Sequence, residues 1–199
     1  MIVSALSFAA GAATWSLAEY ALHRFVGHGP RASKRSGKRG VLDGDFGSEH
    51  QAHHTDTRYF TPTPHKIRAA AIAVPALAAV SSLFVGPRRG ISFALGFGVA
   101  YASYEIIHRR THTHAPRGAY SRWTRKNHLA HHFTNPHMNH GVTSPVWDHL
   151  FGTHLPHAKI RVPRRHAPDW LLDPAGQVRP EYSDDYELPE PGARTVAQA

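Results

Sequence analysis

Apolar and polar positions along the chain are segregated into blocks. No Asp, Glu, Lys, Arg or His occurs in residues 1–18, 69–87 or 90–104. An α-helix rises about 1.5 Å per residue, so about 20 apolar residues cross the hydrocarbon core of a bilayer. The first block runs on through TWSLAEYAL to His23; with no basic stretch ahead of it, we expect a retained membrane helix rather than a cleaved signal. The second, RAAAIAVPALAAVSSLFVG, is long enough to span, and Pro75 within it predicts a kink that membrane helices tolerate. The third, GISFALGFGVAYASYEIIH, is interrupted at Glu105 and is equally readable as a buried helix. Only GPRRG separates the second from the third, which predicts a tight helical hairpin.

Composition sharpens this pattern. The chain has 199 residues and a mean hydropathy of -0.40, an average that by itself describes a water-soluble protein and hides the apolar blocks. It contains no cysteine, which excludes disulfides, thiolate-ligated haem, cysteine-bound iron–sulfur clusters, cysteine zinc fingers and thiol nucleophiles. Lys and Arg total 23, for a formal charge of +9, which suits anionic lipid or nucleic acid. Nine of these residues lie between Arg24 and Arg68, two in the hairpin turn and twelve from Arg109 onward. The excess of positive charge puts the first and last of these regions in the cytoplasm. The segment RASKRSGKRG (31–40) then lies beside lipid head groups, and with no nucleic-acid module in the chain no nucleic-acid partner is expected. Residues 1–162 are read as one membrane domain; residues 163–199, rich in proline and acidic side chains, are expected to be a peripheral or disordered tail. The fold class is therefore all-α: an integral-membrane helical bundle under a cytosolic, histidine-rich helical cap.

Histidine is the anomaly. There are 18, more than the 14 Asp and Glu together, and the topology puts all of them on one side of the bilayer. Ten form spaced clusters: HRFVGH (His23, His28), HQAHH (His50, His53, His54), HRRTH (His108, His112) and HLAHH (His128, His131, His132). On a helix, residues three or four apart share a face, so HxxHH aims three imidazoles one way and HxxxH aims two. Five steps in HxxxxH leave the two rings about 140° apart, so His28 needs a bend, which Gly27 and Gly29 permit. Ten imidazoles are too many for one ion and suffice for two, and imidazole suits iron, copper, zinc and nickel alike. Glu19, Glu105 and Asp56 lie two to four residues from clustered histidines; a carboxylate so placed is expected to take the second ring N–H of a ligating imidazole. His114 is a candidate extra ligand; the remaining seven histidines, His157 among them, match no ligand spacing.

The motif order HX4H, HX2HH, HX3H, HX2HH on an apolar frame, followed by NHGVTSPVWDHLFGTH, resembles the fatty acid hydroxylase and sterol desaturase superfamily over roughly residues 15 to 155. The resemblance implies a membrane-bound, non-haem di-iron oxygenase that hydroxylates or desaturates a membrane lipid, such as a fatty acyl chain or sterol-like lipid. It implies the ten clustered histidines as ligands of two iron ions, with O2 as co-substrate; zinc, which imidazole also suits, could occupy the isolated protein. The trailing motif maps onto Asn139, Gly141, Trp147, Asp148, Phe151, Gly152 and Thr153, with Asp148 beside Glu19 and Glu105 as a group supporting the ligands. His140 stands where the family has an aromatic residue. No haem domain accompanies the motifs, so a separate donor of ferredoxin or cytochrome type is expected. A carotenoid-ring hydroxylase and a non-enzymatic zinc-binding membrane protein are the alternatives.

Overall fold

The computed structural model describes residues 4–29, 46–156 and 159–189; the basic segment 31–40, His157 and residues 190–199 lie outside the described residues. Six helices carry the fold: α1 Ala5–Ala21, α2 Phe46–Thr55, α3 Thr63–Val85, α4 Pro87–Thr113, α5 Ala119–Phe133 and α6 Val146–Leu150. Two-residue strands β1 (Ile160–Arg161) and β2 (Tyr186–Glu187) pair in parallel, so the chain is mostly helical rather than purely so.

α3 and α4 form the expected hairpin, joined by Gly86 alone, whose φ of 79° is open to glycine and strained for other residues. Both are long and apolar enough to cross a membrane. α3 buries none of its residues, as suits a helix facing lipid, and continues through Pro75 without a break. α4 runs unbroken from Pro87 through Glu105 to Thr113, so the third apolar block is the central helix, packed against both α1 and α3. α1 reaches it at backbone contact: a Cβ on Gly11 would fall 1.9 Å from the Phe93 carbonyl oxygen, and one on Gly96 2.0 Å from that of Phe8. Small residues at crossings are how helices associate where lipid supplies no hydrophobic drive. Trp15 of α1 closes the histidine-proximal end of this contact, with its ring against Phe97, Tyr101 and Tyr104.

Residues 163–189, expected to be a peripheral or disordered tail, are instead part of a packed core. Ile160, Val162, Trp170, Leu171, Tyr182 and Tyr186 are buried against Leu129, Ala130 and Phe133 of α5. Salt bridges from Lys126 and Arg122 to Asp185 reinforce the contact. Trp170 donates its indole N–H to the Thr111 carbonyl in the last turn of α4. Arg125 is buried between Trp170 and that same turn and donates to the His114 carbonyl, which lies past the helix end, and to the Arg110 carbonyl, which also accepts the His114 N–H. This clasp thus holds the ends of the two helices that carry the HxxxH and second HxxHH motifs. Its few apolar residues are irregularly spaced and follow no period of 2 or 3.6, which is why a proline- and acid-rich composition misdescribed it.

Candidate metal centre

The ten clustered histidines converge at the end of the bundle formed by the C-terminal parts of α1 and α4. They form two groups of five: His23, His28, His50, His54 and His131, and His53, His108, His112, His128 and His132. In each group the candidate ligand atoms lie within 4.8 Å of one another. All ten rings present Nε2. In the first group His131 Nε2 lies 2.9 Å from His23 Nε2, 3.0 Å from His28 Nε2 and 3.2 Å from His54 Nε2, with His50 Nε2 2.8 Å from His28 Nε2. In the second, His53 Nε2 is 3.1 Å from both His108 and His112, His128 Nε2 is 2.9 Å from His112, and His132 Nε2 is 3.0 Å from His128.

The two HxxHH motifs do not aim all three rings at one point. In each, the residues four apart go to one group and the remaining histidine to the other: His50 and His54 against His53, His128 and His132 against His131. Adjacent residues on a helix are about 100° apart, so α2 and α5 each lie between the groups and feed both. HxxxxH is resolved differently from the expected glycine bend. Residues Leu22–Gly27 form a π-helical turn in which the His28 N–H donates to the His23 carbonyl across five residues, so the two rings come onto one side.

Mutual hydrogen bonding cannot account for these contacts. A neutral ring nitrogen carries one proton or one in-plane lone pair, yet His131 Nε2 faces three other Nε2 atoms within 3.2 Å. Nitrogens bound about 2.1 Å from one ion lie about 3.0 Å apart at right angles and about 3.4 Å apart at tetrahedral angles. The observed separations of 2.8–3.2 Å match the former, and five donors exceed a four-coordinate structural zinc site. Each group could hold a metal ion.

Protonation points the same way. Burial pushes the His28 imidazole down to about 3 and that of His53 down to about 4, from an ordinary value of 6.5. Burial first, and neighbouring imidazoles second, hold His50, His54, His128, His131 and His132 well below that value. The rings are neutral, the form that offers a lone pair to a metal. His53 and His131 each donate Nδ1–H over 2.8 Å, to the Tyr59 and Met138 carbonyls, and His23 Nδ1 pairs with the His140 carbonyl. Those bonds fix the tautomer that leaves Nε2 free.

The carboxylates expected to support the ligands, from spacing or from the resemblance, do not make those bonds. Glu19 accepts from the Val142 and Thr143 backbone N–H groups and the Thr143 hydroxyl; Asp148 accepts from the His140 and Gly141 N–H groups and the Thr153 hydroxyl. Glu105 is ion-paired with Lys66, and Asp56 accepts from the Arg58 backbone. Glu19 and Asp148 therefore act one bond further out, by pinning the loop whose Met138 and His140 carbonyls orient His131 and His23. Asn139, at a φ of 56°, ties that loop to Leu155 through both ends of its side-chain amide. Trp147 donates to Ser16, and Phe151 stacks on Tyr20. His140 contributes its backbone; its ring lies 5.4 Å from those of His23 and His131, outside the group of five. His114 is exposed and joins neither group.

Sequence spacing missed the aromatic shell. Tyr104 stacks on His108, Phe46 on His50, and Phe60 lies against His53, His108 and His112. Phe60 and Phe46 come from outside any histidine motif, so only the tertiary contact marks them. A cavity of about 390 Å³ opens between α1, α2, α3 and α4, with His50, His53 and His108 at one end and Ala69, Ala73 and Phe97 at the other.

The family model for fatty acid hydroxylase matches residues 8–153. The chain belongs to that family. It is 32% identical over 153 residues to the dihydroceramide fatty acyl 2-hydroxylase FAH2 of Arabidopsis thaliana, covering 74% of this chain and 60% of the relative. It is 31% identical to the ceramide very long chain fatty acid hydroxylase SCS7 of Saccharomyces cerevisiae, over 74% of this chain and 38% of that protein. Among solved structures, that described as full-length scs7p, with only the hydroxylase domain visible, aligns with a TM-score of 0.55 at 26% identity, covering 76% of this chain and 56% of the other. This family member thus spans less than two thirds of the relatives it matches. The matched span contains all ten clustered histidines and ends at Thr153, at the close of the trailing motif.

Proposed function

We propose that the chain is an integral-membrane oxygenase that hydroxylates an acyl chain of a membrane lipid, with the two histidine groups as ligands of two iron ions. The observation that carries this is the convergence of ten neutral Nε2 atoms into two groups of five at the mouth of an apolar cavity. A pair of iron ions there would supply the chemistry protein side chains lack: one atom of O2 enters a C–H bond while the other leaves as water, with two electrons and two protons from outside. The protein's own part is positioning. The carbonyls of Met138, His140 and Tyr59 orient the His131, His23 and His53 rings, and Trp15, Phe60 and Tyr104 keep water from the reacting carbon. The cavity lets a chain enter sideways from the bilayer. The names of the relatives favour the carbon next to the acyl carbonyl, and desaturation is the variant outcome when a second hydrogen is lost. The site faces the cytoplasm by the distribution of Lys and Arg, and a separate ferredoxin- or cytochrome-type protein delivers the electrons.

The test is metal analysis of the purified protein together with oxygen consumption and product analysis in the presence of acyl lipids and carotenoids. Two redox-active ions per chain and a hydroxylated acyl product are expected. Replacing His131 or His54 by Ala abolishes turnover and lowers metal content. Oxidised carotenoid alone, or redox-inert metal without oxygen uptake, would overturn the assignment.

A further inference from the structure

An ion pair stands in the wall of the cavity between its histidine end and its apolar end. Lys66 Nζ bonds the Glu105 carboxylate; both side chains line the cavity and each is only 22% exposed. Neither touches a clustered histidine by hydrogen bond. Removing two charges from water costs several kcal/mol per ion and is recovered only in part by their mutual attraction, and ionisable groups at the ends of membrane helices are kept where they serve a ligand or a partner. A lysine that merely reached for the interface would turn its ammonium to solvent; this one turns it inward to Glu105. A third polar group lies beside them: His65 also lines the cavity, and its buried Nδ1 has no hydrogen-bond partner among the described residues.

The order along the cavity follows from helical spacing. Phe97, Tyr101, Glu105 and His108 recur at steps of four, four and three and share one face of α4; Lys66, Ala69, Ala70 and Ala73, at i, i+3, i+4 and i+7, share one face of α3. The alanines keep the wall on one side of the pair free of bulk, and His108 lies on the other side, three residues or about 4.5 Å along the helix. An amphiphile with its tail along that wall therefore has its polar group at the pair, and the carbons in reach of the histidine groups are those adjoining that polar group.

Resting on the hydroxylase assignment above, we infer that Lys66 and Glu105 are the head-group anchor of this cavity, holding an amide-linked acyl chain. The ammonium donates to the acyl carbonyl and the carboxylate accepts the amide N–H. Lysine has three N–H donors and Glu105 occupies one; the carboxylate, which also bonds the Tyr101 hydroxyl, has lone pairs beyond those facing Lys66 and Tyr101. A head that both accepts and donates satisfies the pair. A free fatty acid presents a second carboxylate to Glu105 and is repelled.

The test uses the full chain in lipid nanodiscs and measures displacement of a fluorescent fatty amide by palmitamide, palmitic acid and hexadecane, with and without metal. The wild type is expected to bind in that order of strength. Lys66→Met should lose about tenfold or more in palmitamide affinity, the ratio one charged hydrogen bond supports, and leave hexadecane binding and metal content unchanged. Lys66→Arg should recover part of the loss. Glu105→Gln should raise palmitic acid affinity by removing the like charge, a gain that structural damage cannot produce. In the metal-loaded protein Lys66→Met should spread oxidation from the carbonyl-adjacent carbon along the chain. Unchanged head-group preference in Lys66→Met, or weaker palmitic acid binding in Glu105→Gln, overturns the anchor. If the wild type shows the preference but never oxidises lipid, the hydroxylase assignment fails and the anchor stands; if it oxidises lipid and Lys66→Met behaves as wild type, the anchor fails alone.

Discussion

Gly27 offers a sharp perturbation of the metal centre, because it is not a ligand and its backbone is compatible with any residue. It sits in the π-helical turn with a negative φ, and a Cβ built on it falls 2.7 Å from His50 Cδ2 and 3.2 Å from His50 Cγ and Nε2. Ordinary carbon contacts are about 3.5–4.0 Å, so in Gly27→Ala the ring must retreat by about 0.8 Å, whereas metal–nitrogen distances tolerate about 0.2 Å. The turn cannot yield in its place without cost: His23 and His28 flank Gly27, and its carbonyl accepts from Gln51 one residue beyond His50. Either way the first group loses its geometry, and the second, with no contact to Gly27, keeps it. Disturbing an orienting neighbour alone costs about 10–100-fold in metal affinity, or about 1.4–2.7 kcal/mol, and displacing a ligand costs at least that. Helix propensity pushes stability the other way, by about 1 kcal/mol in favour of Ala. The expected result is a variant that melts no lower than wild type in its metal-free form, binds one ion per chain where wild type binds two, and turns over no lipid. Elemental analysis at fixed free metal and thermal unfolding in detergent measure both halves. Two ions held at wild-type affinity in Gly27→Ala would refute the placement of His50.

Three further outcomes follow from the same geometry. Asp148→Asn leaves one acceptor where the loop needs two, facing an amide against a backbone N–H, and should cost about 1–3 kcal/mol in stability and weaken metal binding at the first group, read by unfolding and metal titration. Trp170→Ala empties the clasp core and frees the Thr111 carbonyl; a loss of about 3–5 kcal/mol is expected, with protease cleavage appearing between residues 159 and 189. The metal-free protein should be acid-labile: His53 titrates near 4 folded and 6.5 unfolded, so the unfolded chain takes up the proton first. That stability, about 3 kcal/mol for this ring alone, is complete above about pH 6.5 and is lost as pH falls toward 4. A metal-free protein that grows more stable on acidification over this range would contradict the burial of the neutral rings.

The chain's own pattern determined a good deal. Apolar blocks delimited α1, α3 and α4, since an unbroken apolar run is carried as one helix, and Gly86-Pro87 marked the hairpin. Histidine spacing picked out all ten members of the two groups, because rings three or four apart on a helix share a face, with His23 and His28 brought together by the π-helical turn. The tertiary structure alone decided the division of each HxxHH between two groups, which depends on where α2 and α5 lie relative to both and not on either helix by itself. It also decided that carbonyls of Met138, His140 and Tyr59 orient the rings while Glu19 and Asp148 hold the loop behind them. Backbone groups are the same at every position, so no residue type betrays them. Trp170 and its neighbours became core for a similar reason: burial of an irregular segment is set by the surface that receives it, here the outer face of α5, which the segment's own composition does not encode.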